Sequence, residues 1–380
     1  MALNQKDKNL FRALVFLLIL CLMTGAGALW LFGGDPLRAV GGLVVAYAGV
    51  RLLLAARKAL LTKPVDPKAF GKWALVTGCT GGLGQEFAHR CASRGLDLVL
   101  VSRSRGKLEA LAKDLRAAYG VRAVVLVFDF AKSSCAEEEA FYGTELPRFL
   151  ASEPVCGDVA LLVNNVGVGD EAPFAVEEIT VSDIHDMVKV NCGAIVNMSK
   201  AVLPLFKHRR AGAVINVSSG SCAQPSPYLA TYASSKAFDL HFSKSCSREY
   251  REFGVHVLGI RPYYISGTGL YPNAKPSFNA PAKRDVVEGA FSHLGRYDVS
   301  HAWWVHSVMG YIFGTIWEDP VFGAVLGRLA KRAKLNGTML MIQKAARKRS
   351  KEKNVNGMWN AVDAASAGHR RNLGIEAAAK

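Results

Sequence analysis

The chain lacks the residue patterns that hold structural metals or build a disulfide framework. Its eight cysteines and nine histidines form no Cys-x-x-Cys and no His-Glu-x-x-His arrangement, so no metal site is expected. The cysteines are scattered without a scaffold spacing, which suits a reducing cytosol better than an oxidising lumen. No internal repeat and no groove-reading or aromatic-interleaved basic motif is present. One globular domain that binds no nucleic acid is therefore expected.

A glycine-rich segment follows the first apolar run of this domain. From Lys72 the chain reads Lys-Trp-Ala-Leu-Val-Thr-Gly-Cys-Thr-Gly-Gly-Leu-Gly, and apolar residues then recur at helical spacing. The order of strand, glycine turn and helix is typical of a dinucleotide site. Gly78 permits the tight turn, and Gly82 and Gly84 let the backbone approach a pyrophosphate at the helix N-terminus. A plain tight turn that binds nothing is the alternative.

The second predicted strand, residues 96–101, is followed by two arginines and no acid. NAD-binding proteins usually place an acidic residue here for the ribose 2′-hydroxyl. Arg103 and Arg105 stand there instead, and a guanidinium pairs well with a 2′-phosphate. The segment therefore favours NADPH over NADH, unless both arginines are only solvated loop charges.

Three further apolar runs each stop at polar residues: 123–128 at Asp129, 159–163 at Asn164 and Asn165, and 213–217 at Ser218 and Ser219. The carboxyl ends of parallel strands line the ligand crevice of a doubly wound sheet, so these residues are expected to lie together. The fold class is accordingly α/β, with a Rossmann-type parallel sheet. Taken singly, Asp129 or Asn165 could equally cap a helix or make a turn.

Tyr232 and Lys236 stand four residues apart on a predicted helix, thirteen residues after Ser219. Residues at this spacing share one helical face, so the Lys236 ammonium can favour the ionised form of the phenol. A Tyr-x-x-x-Lys pair alone is a weak signal, but here it follows a dinucleotide site in the expected order. The three residues together predict reduction of a carbonyl group.

These motifs resemble the short-chain dehydrogenase/reductase family over about residues 70–300. The resemblance rests on the glycine segment 77–84, on Asn-Asn-Val-Gly at 164–167, on Ser219 and on Tyr-Ala-Ser-Ser-Lys at 232–236. Val-Ser-Arg-Ser from Val101, Asn-Val-Ser-Ser-Gly-Ser from Asn216 and Arg-Pro-Tyr-Tyr from Arg261 also resemble its membrane-bound branch. That branch contains very-long-chain 3-oxoacyl-CoA reductase and the type 12 and type 3 17-beta-hydroxysteroid dehydrogenases.

The resemblance implies a role for each matching catalytic position. Tyr232 is expected to donate the proton, Lys236 to contact the cofactor ribose and assist the phenol, and Ser219 to hydrogen-bond the substrate carbonyl. Asn191 is expected to hold a proton-relay water, although its side chain could instead be satisfied by bending its own helix. The expected contacts to NADPH or NADP+ are Gly78, Thr80, Gly82, Leu83, Gly84, Arg103, Asp129, Asn165, Tyr232, Lys236 and Ile265.

Two details concern the choice of the catalytic serine and a departure from the family pattern after Pro262. Ser218 and Ser221 flank the expected catalytic serine, and only the spacing of Ser219 to Tyr232 fits the family. The Pro-Gly-x-x-x-Thr pattern of the family is replaced by Pro-Tyr-Tyr-Ile-Ser-Gly-Thr from Pro262, which shifts the threonine by one residue. Thr268, Ser266 or the backbone near Ile265 is therefore expected to hold the nicotinamide amide.

The first 66 residues predict a membrane anchor. Residues 13–34 are uncharged and long enough to cross about 30 Å of hydrocarbon, and residues 39–56 form a second apolar segment interrupted by Arg51. Basic outer flanks favour a hairpin with both ends in the cytosol. If the second segment instead lies in the interface, the catalytic domain could face the lumen. A cleaved signal peptide is the other alternative.

The catalytic domain is predicted over residues 67–300, followed by an extension over 301–353 and a disordered tail over 354–380. Residues 303–317 are aromatic and apolar, and are expected to lie on the bilayer, cover a long substrate or complete the core. Much of the net charge of +16 lies in the basic run 328–353. Anionic lipids or acidic CoA esters would be attracted there.

The leading functional prediction is an NADPH-dependent reductase of the endoplasmic-reticulum membrane with a cytosolic catalytic domain. The expected reaction converts a 3-oxoacyl-CoA to a 3-hydroxyacyl-CoA in very-long-chain fatty-acid elongation. A 17-beta-hydroxysteroid dehydrogenase is the nearest alternative, and an idle nucleotide-binding membrane scaffold is an alternative of another class. Expected partners are a lipid-like ketone substrate and the bilayer, with a homodimer and elongation-complex partners by family analogy.

Overall fold

The computed structural model describes residues 41–43, 46, 47, 50, 63–169, 174–223, 225, 226, 228–268 and 274–311. The chain divides into two compact units, Met1–Lys63 and Pro64–Lys380, close to the predicted start of the catalytic domain. Described residues before Lys63 are helical. Among all described residues, no helix has both the length and the apolar character needed to cross a membrane. The predicted segment 13–34, most of 39–56, and the extension and tail beyond residue 311 lie outside the described residues.

A seven-stranded parallel sheet forms the centre of the second unit. Its strands are β1 (Trp73–Thr77), β2 (Asp97–Ser102), β3 (Ala123–Val127), β4 (Val159–Asn164), β5 (Gly212–Val217), β6 (Val255–Ile260) and β7 (Val299–Ser300). The spatial order is β3-β2-β1-β4-β5-β6-β7. The order of the strands reverses between β1 and β4, and ligands of doubly wound sheets bind at such a switch point. The predicted Rossmann-type sheet is confirmed, and the four strands predicted with explicit bounds match within one residue at each end.

Helices cover both faces of the sheet. They are α1 (Gly82–Ser93), α2 (Arg105–Tyr119), α3 (Cys135–Ala140), α4 (Leu146–Ala151), α5 (Val181–Met187), α6 (Ala194–Arg209), α7 (Ala230–Tyr250), α8 (Lys283–His293) and α9 (Trp304–Tyr311). Helices α1, α2 and α8 contribute to the core on one face, whereas α4, α6 and α7 contribute to the core on the other. Parallel strands that are covered on both faces consist of continuous apolar runs, and such runs predicted these strands from the sequence.

Strand β1 shows how the sequence serves both cores. All five of its residues are buried. Ala74 and Val76 pack on the face that carries α1, and Trp73 and Leu75 pack on the opposite face. Successive side chains of a strand point to opposite faces, so every position of a central strand must be compatible with burial. The last residue of the strand, Thr77, is its first polar residue, and it lies at the switch point.

A π-helical turn, Val188–Gly193, joins α5 to α6. Such turns insert one extra residue into a helix and re-aim the side chains that follow. Asn191 lies in this turn and is 1% exposed. The turn therefore places a polar side chain inside the domain, beside the carboxyl ends of β4 and β5.

Candidate active site

The glycine-rich turn between β1 and α1 requires its glycines for two different reasons. Gly78 and Gly82 have φ angles of +60° and +57°, in the left-handed region that side chains disfavour. Gly84 has no room for a side chain, because a Cβ there would collide with the carbonyl of Gly78 and with Asn165 Nδ2. The turn is therefore closed from beneath by its own backbone and by the neighbouring strand.

The outer side of the same turn is open, as a bound pyrophosphate requires. A Cβ built on Gly81 or Gly82 meets no atom within 4 Å. Gly81 is the N-cap of α1 and supplies no side chain to the first amides of the helix. Uncapped amides at a helix N-terminus bind anions, so the residues present fit a dinucleotide phosphate. Leu83 buries its side chain in the core and offers this site only its backbone.

Asn165 holds the turn in place rather than facing away from the protein. Its side-chain amide donates to the carbonyls of Thr77 and Gly78, at 3.2 and 3.0 Å. The Thr77 hydroxyl in turn accepts the backbone N–H groups of Asn165 and Val166. The structure thus places Asn165 at the glycine turn, where its side chain stabilises the turn, as the alternative interpretation of this residue had it. Its contact with the cofactor stays a prediction.

The residues predicted to recognise the adenosine end follow β2 and β3. Thr80 Oγ1 and Ser102 Oγ are 3.1 Å apart, which joins the glycine turn to the end of β2. Arg103 is exposed directly after that strand, and Arg105 lies 3.7 Å from Glu109. Asp129 Oδ1 accepts the backbone N–H groups of residues 131 and 132, so this carboxylate makes its own turn.

Arg103 provides the first prediction. Replacing it by alanine should raise the KM for NADPH about tenfold or more and leave the KM for NADH nearly unchanged, because a charge-assisted bond to the 2′-phosphate is lost. Steady-state kinetics with both cofactors measures this. Lys113→Ala is the matched control, since it removes an exposed positive charge from the middle of α2. Equal changes for both cofactors would show that Arg103 does not read the phosphate.

Tyr232 and Lys236 lie on α7 against the loop that follows β4. A Cβ at Gly169 would stand 3.2 Å from the ring of Tyr232, and one at Gly167 would stand 3.1 Å from Lys236 Nζ. Small residues are therefore needed in this loop for both side chains to reach the switch point. The structure brings the predicted pair to the edge of the sheet where the glycine turn also lies.

Ser219 follows β5 and has its proton available. Its hydroxyl oxygen accepts the backbone N–H of Ser221 at 3.2 Å, and its O–H has no acceptor among the described residues, so it can donate to a carbonyl. Ser218 is different because its hydroxyl donates to the backbone carbonyl of Lys236 at 2.6 Å and ties β5 to α7. Ser221 Oγ is buried without a hydrogen-bond partner among the described residues. These contacts favour Ser219 as the substrate ligand, in agreement with the prediction.

Asn191 bridges two elements rather than bonding within its own helix. Its Oδ1 accepts the backbone N–H of Val168 at 2.8 Å, and its Nδ2 donates to the carbonyl of Val168 and to Ser235 Oγ. The side chain thus fixes the loop after β4 against α7. The alternative of a side chain satisfied by its own helix does not match these contacts, and the relay water stays a prediction.

Sequence reasoning missed Asp239, which forms a buried ion pair with Lys236. The Nζ–Oδ2 distance is 2.9 Å, and the side chains are 6% and 2% exposed. Burial alone lowers the pKa of the Lys236 ammonium, but Asp239 and Tyr232 act in the opposite direction and raise that pKa above its usual value. Burial raises the pKa of Asp239, against the opposing effect of Lys236. We take Lys236 to carry the proton, because its high pKa is supported by a direct carboxylate contact.

A second missed feature is a buried polar network beneath these residues. Asn164 Nδ2 donates to Asn216 Oδ1 and to Ser199 Oγ, and Asn216 Nδ2 donates to Ser243 Oγ on α7. The two asparagines are paired in register on β4 and β5. The sequence signal for this network was an asparagine at the end of one buried strand, Asn164, and another within the next strand, Asn216. The network fixes α6 and α7 to the strand ends that carry the site.

The loop after β6 narrows the choice for the nicotinamide contact. The Thr268 hydroxyl donates to the carbonyl of Ile265, and the Ser266 hydroxyl donates to that of Ala274. Both hydroxyl protons are thus engaged within the protein, which favours the backbone near Ile265 among the three predicted candidates.

Helix α9 has two different faces. Val305 and His306 are buried, and His306 links the backbones of Tyr263 and Asn279. Trp304 and Val308 are more than half exposed. The buried face of α9 therefore completes the core, which was one of the three expectations for residues 303–317. Contact of the exposed face with the bilayer or with a long substrate stays a prediction.

Comparison with known proteins decides the family. Residues 72–277, more than half of the chain, match the family model described as short chain dehydrogenase. The protein belongs to the short-chain dehydrogenase family. Very-long-chain 3-oxoacyl-CoA reductase from Anas platyrhynchos is 31% identical to this dehydrogenase over 310 residues, covering 80% of this chain and 94% of that protein. The predicted resemblance to this family and branch is confirmed.

Two further relatives of the dehydrogenase bear on its chemistry. Inactive hydroxysteroid dehydrogenase-like protein 1 from Homo sapiens is 33% identical over 277 residues, covering 71% of this chain and 81% of that protein. A solved short-chain dehydrogenase from Sphingobium yanoikuyae in complex with NADPH is 27% identical with a TM-score of 0.52, covering 60% and 86% of the two chains. The family and the fitted nucleotide site make this chain an NADP(H)-dependent oxidoreductase, as predicted.

Proposed function

We propose that the dehydrogenase reduces the 3-keto group of very-long-chain 3-oxoacyl-CoA to the 3-hydroxyacyl-CoA in fatty-acid elongation. The observation that carries the proposal is an intact set of Ser219, Tyr232 and Lys236 in a chain that aligns with a 3-oxoacyl-CoA reductase over 94% of that relative. A second very-long-chain 3-oxoacyl-CoA reductase, from Podospora anserina, is 33% identical over 303 residues.

The residues of the site support ketone reduction by their hydrogen-bonding capacity. NADPH, when bound, supplies the hydride. Ser219 has a free O–H for the carbonyl oxygen, and Tyr232 supplies a second O–H and the proton. Lys236 lies on the same face of α7 and carries a positive charge that stabilises the phenolate left after proton transfer. Negative charge that develops on the substrate oxygen is thus met by placed donors.

The ends of the chain support an acyl-CoA substrate at a membrane. The apolar segment 13–34 has the length of a membrane span, and the basic run 328–353 carries charge that attracts CoA phosphates or anionic lipids. We therefore place the protein at the endoplasmic-reticulum membrane with its catalytic domain in the cytosol, where a tether would keep the enzyme near an amphiphilic substrate.

The test is NADPH oxidation by the full-length protein with 3-oxoacyl-CoA chains compared with 17-ketosteroids. We expect the acyl-CoA kcat/KM to exceed the steroid value at least about tenfold, since affinity gained along a long acyl chain and CoA phosphates is not available to a steroid. The Tyr232→Phe variant provides the blank for each substrate. Turnover of the steroid alone would overturn the proposal.

A second candidate, steroid ketone reduction, is favoured by relatives named as hydroxysteroid dehydrogenase-like proteins. Both substrates present a ketone to the same three residues, so the assay above separates them. Several of these relatives are named as inactive proteins. An absence of turnover with every ketone, combined with tight NADPH binding, would favour a nucleotide-binding scaffold instead.

A further inference from the structure

Asp239 is the one acidic side chain in direct contact with a predicted catalytic group among the described residues. It stands three residues after Lys236, on the same side of α7 as that lysine and Tyr232. Its Oδ2 accepts a hydrogen bond from Lys236 Nζ at 2.9 Å, and its backbone carbonyl accepts one from Ser243. Its Oδ1 is buried without a partner among the described residues. The carboxylate thus depends on Lys236 for its stabilisation.

Burial of this ion pair costs free energy of folding. A buried carboxylate loses its hydration, and one hydrogen-bonded partner does not fully replace it. Replacement of such a pair by packed apolar residues is often neutral or stabilising, so stability alone does not account for it. Functional sites are where such pairs shift the protonation of reactive groups.

Lys236 is held at two points and has one donor left. Its Nζ donates to Asp239 Oδ2 and to the Val217 carbonyl at the end of β5, at 2.9 and 3.2 Å. An ammonium group has three N–H donors, and the third has no acceptor among the described residues. Gly167 borders the same Nζ and also Asn191 Oδ1. The remaining N–H is therefore available on the side where the loop after β4 meets the cofactor site.

The surroundings of the pair contain little other charge. Besides Asp239, the groups that act on Lys236 are Tyr232 from its own helix and the Cys192 thiol from the π-helical turn. Burial raises the pKa of Cys192 to about 11, so this thiol is neutral at physiological pH. From the sheet, β5 offers the Val217 carbonyl and β6 packs Gly259 against α7, and neither is charged. Without Asp239, burial would act on Lys236 with no counter-ion beside it.

We propose that Asp239 is a positioning residue for the oxidoreductase reaction: its buried carboxylate keeps Lys236 protonated and fixes Nζ on the Val217 carbonyl, with one N–H directed to the ribose of the cofactor. The proposal adds Asp239 to the four catalytic side chains predicted from sequence. One of its two tests, a kinetic assay, rests on the ketone reduction proposed above, whereas the other, a spectroscopic titration of Lys236, does not. Failure of the substrate assignment therefore leaves it testable.

The spectroscopic test follows the titration of Lys236 directly. Lysines of the full-length protein are labelled with ¹³C at Cε, and the Lys236 signal is assigned by its absence in Lys236→Met. The sign follows from the pair: a carboxylate raises the pKa of an adjacent ammonium, so its removal must lower that pKa. We expect the Lys236 titration midpoint to fall by about one pH unit or more in Asp239→Asn. An unchanged midpoint would overturn the proposal.

The kinetic test uses the pH profile of ketone reduction at saturating NADPH. In Asp239→Asn the alkaline limb of kcat should move to lower pH by about the same amount, because activity is lost when Lys236 loses its proton. Oxidation of the product alcohol should show the same limb. Asp114→Asn, an exposed substitution on α2 with the same change in charge, should leave both profiles unchanged. A shifted midpoint without a shifted limb would remove any role in the reaction.

Folding must be separated from function because a lone buried lysine destabilises the protein. Asp239→Ser is the second variant, since its smaller side chain leaves space for water beside Nζ. Circular dichroism spectra and thermal unfolding identify which variants are folded. Either folded variant decides the proposal by the titration of Lys236. Failure of both variants to fold would count against the proposal, because Asp239 would then be needed for the fold itself.

Discussion

Replacement of Tyr232 by phenylalanine is expected to lower kcat for ketone reduction by about 1,000-fold or more while the dissociation constant of NADPH changes by less than about threefold. The phenol is the proposed proton donor, and general acid catalysis contributes factors of about 10² to 10⁴. Loss of one donor to the developing oxyanion adds to this. The ring itself packs against the loop at Gly169 and is retained in phenylalanine, so the site keeps its shape.

Single-turnover kinetics with saturating NADPH measures the chemical step, and fluorescence titration measures cofactor binding. Tyr250→Phe provides the matched control, because Tyr250 ends the same helix far from the switch point and packs on Phe253. It should retain wild-type turnover. Substantial reduction of ketones by Tyr232→Phe would contradict the mechanism, whatever the substrate proves to be.

Replacement of Gly84 by alanine should damage both stability and cofactor binding. The new Cβ would overlap the Gly78 carbonyl and the Asn165 side chain, and neither can yield without opening the glycine turn. Overpacking of this kind costs about 1 to 3 kcal/mol. We expect a melting temperature lower by about 5 °C and NADPH affinity lower by at least about tenfold. Thermal unfolding followed by circular dichroism, with a parallel binding titration, measures both quantities.

Two other glycines provide controls for this prediction. Gly106→Ala lies on α2 with open space around it, and should be neutral or slightly stabilising because alanine favours helices. Gly81→Ala also meets no protein atom, so it should fold normally but weaken NADPH binding if the pyrophosphate approaches there. Equal stability of the Gly84 and Gly106 variants would show that the turn can rearrange.

The fold and the main catalytic residues could be predicted because each has a strong local signal. Buried parallel strands such as β1 appear as unbroken apolar runs, and positive φ angles at Gly78 and Gly82 demand glycine. The order of the glycine turn, Ser219 and Tyr232 then limits the fold to one family. Polar residues at strand ends were correctly expected at the sheet edge, because the direction of parallel strands determines where they meet.

The remainder depended on contacts that sequence spacing does not reveal. Asp239 on a helix reads as a solvated side chain, and only the packing of α7 against β5 and β6 shows that it is buried. The π-helical turn at Asn191 has no recognised sequence signature, so its bonds to Val168 were not expected. Asn165 and Asp129 were expected to contact the cofactor, whereas their observed bonds stabilise turns. The predicted anchor, extension and tail remain predictions.

The hydrogen bonds between Thr77 and Asn165 have a consequence for the order of folding. They join positions 88 residues apart, across the adjacent strands β1 and β4. During synthesis the glycine sequence leaves the ribosome well before the strand that secures it, and the helix with Tyr232 follows later still. A nascent chain that stops before β4 therefore carries the nucleotide motif without its partner strand. We therefore expect NADPH to stabilise the domain only after this long-range pairing has formed.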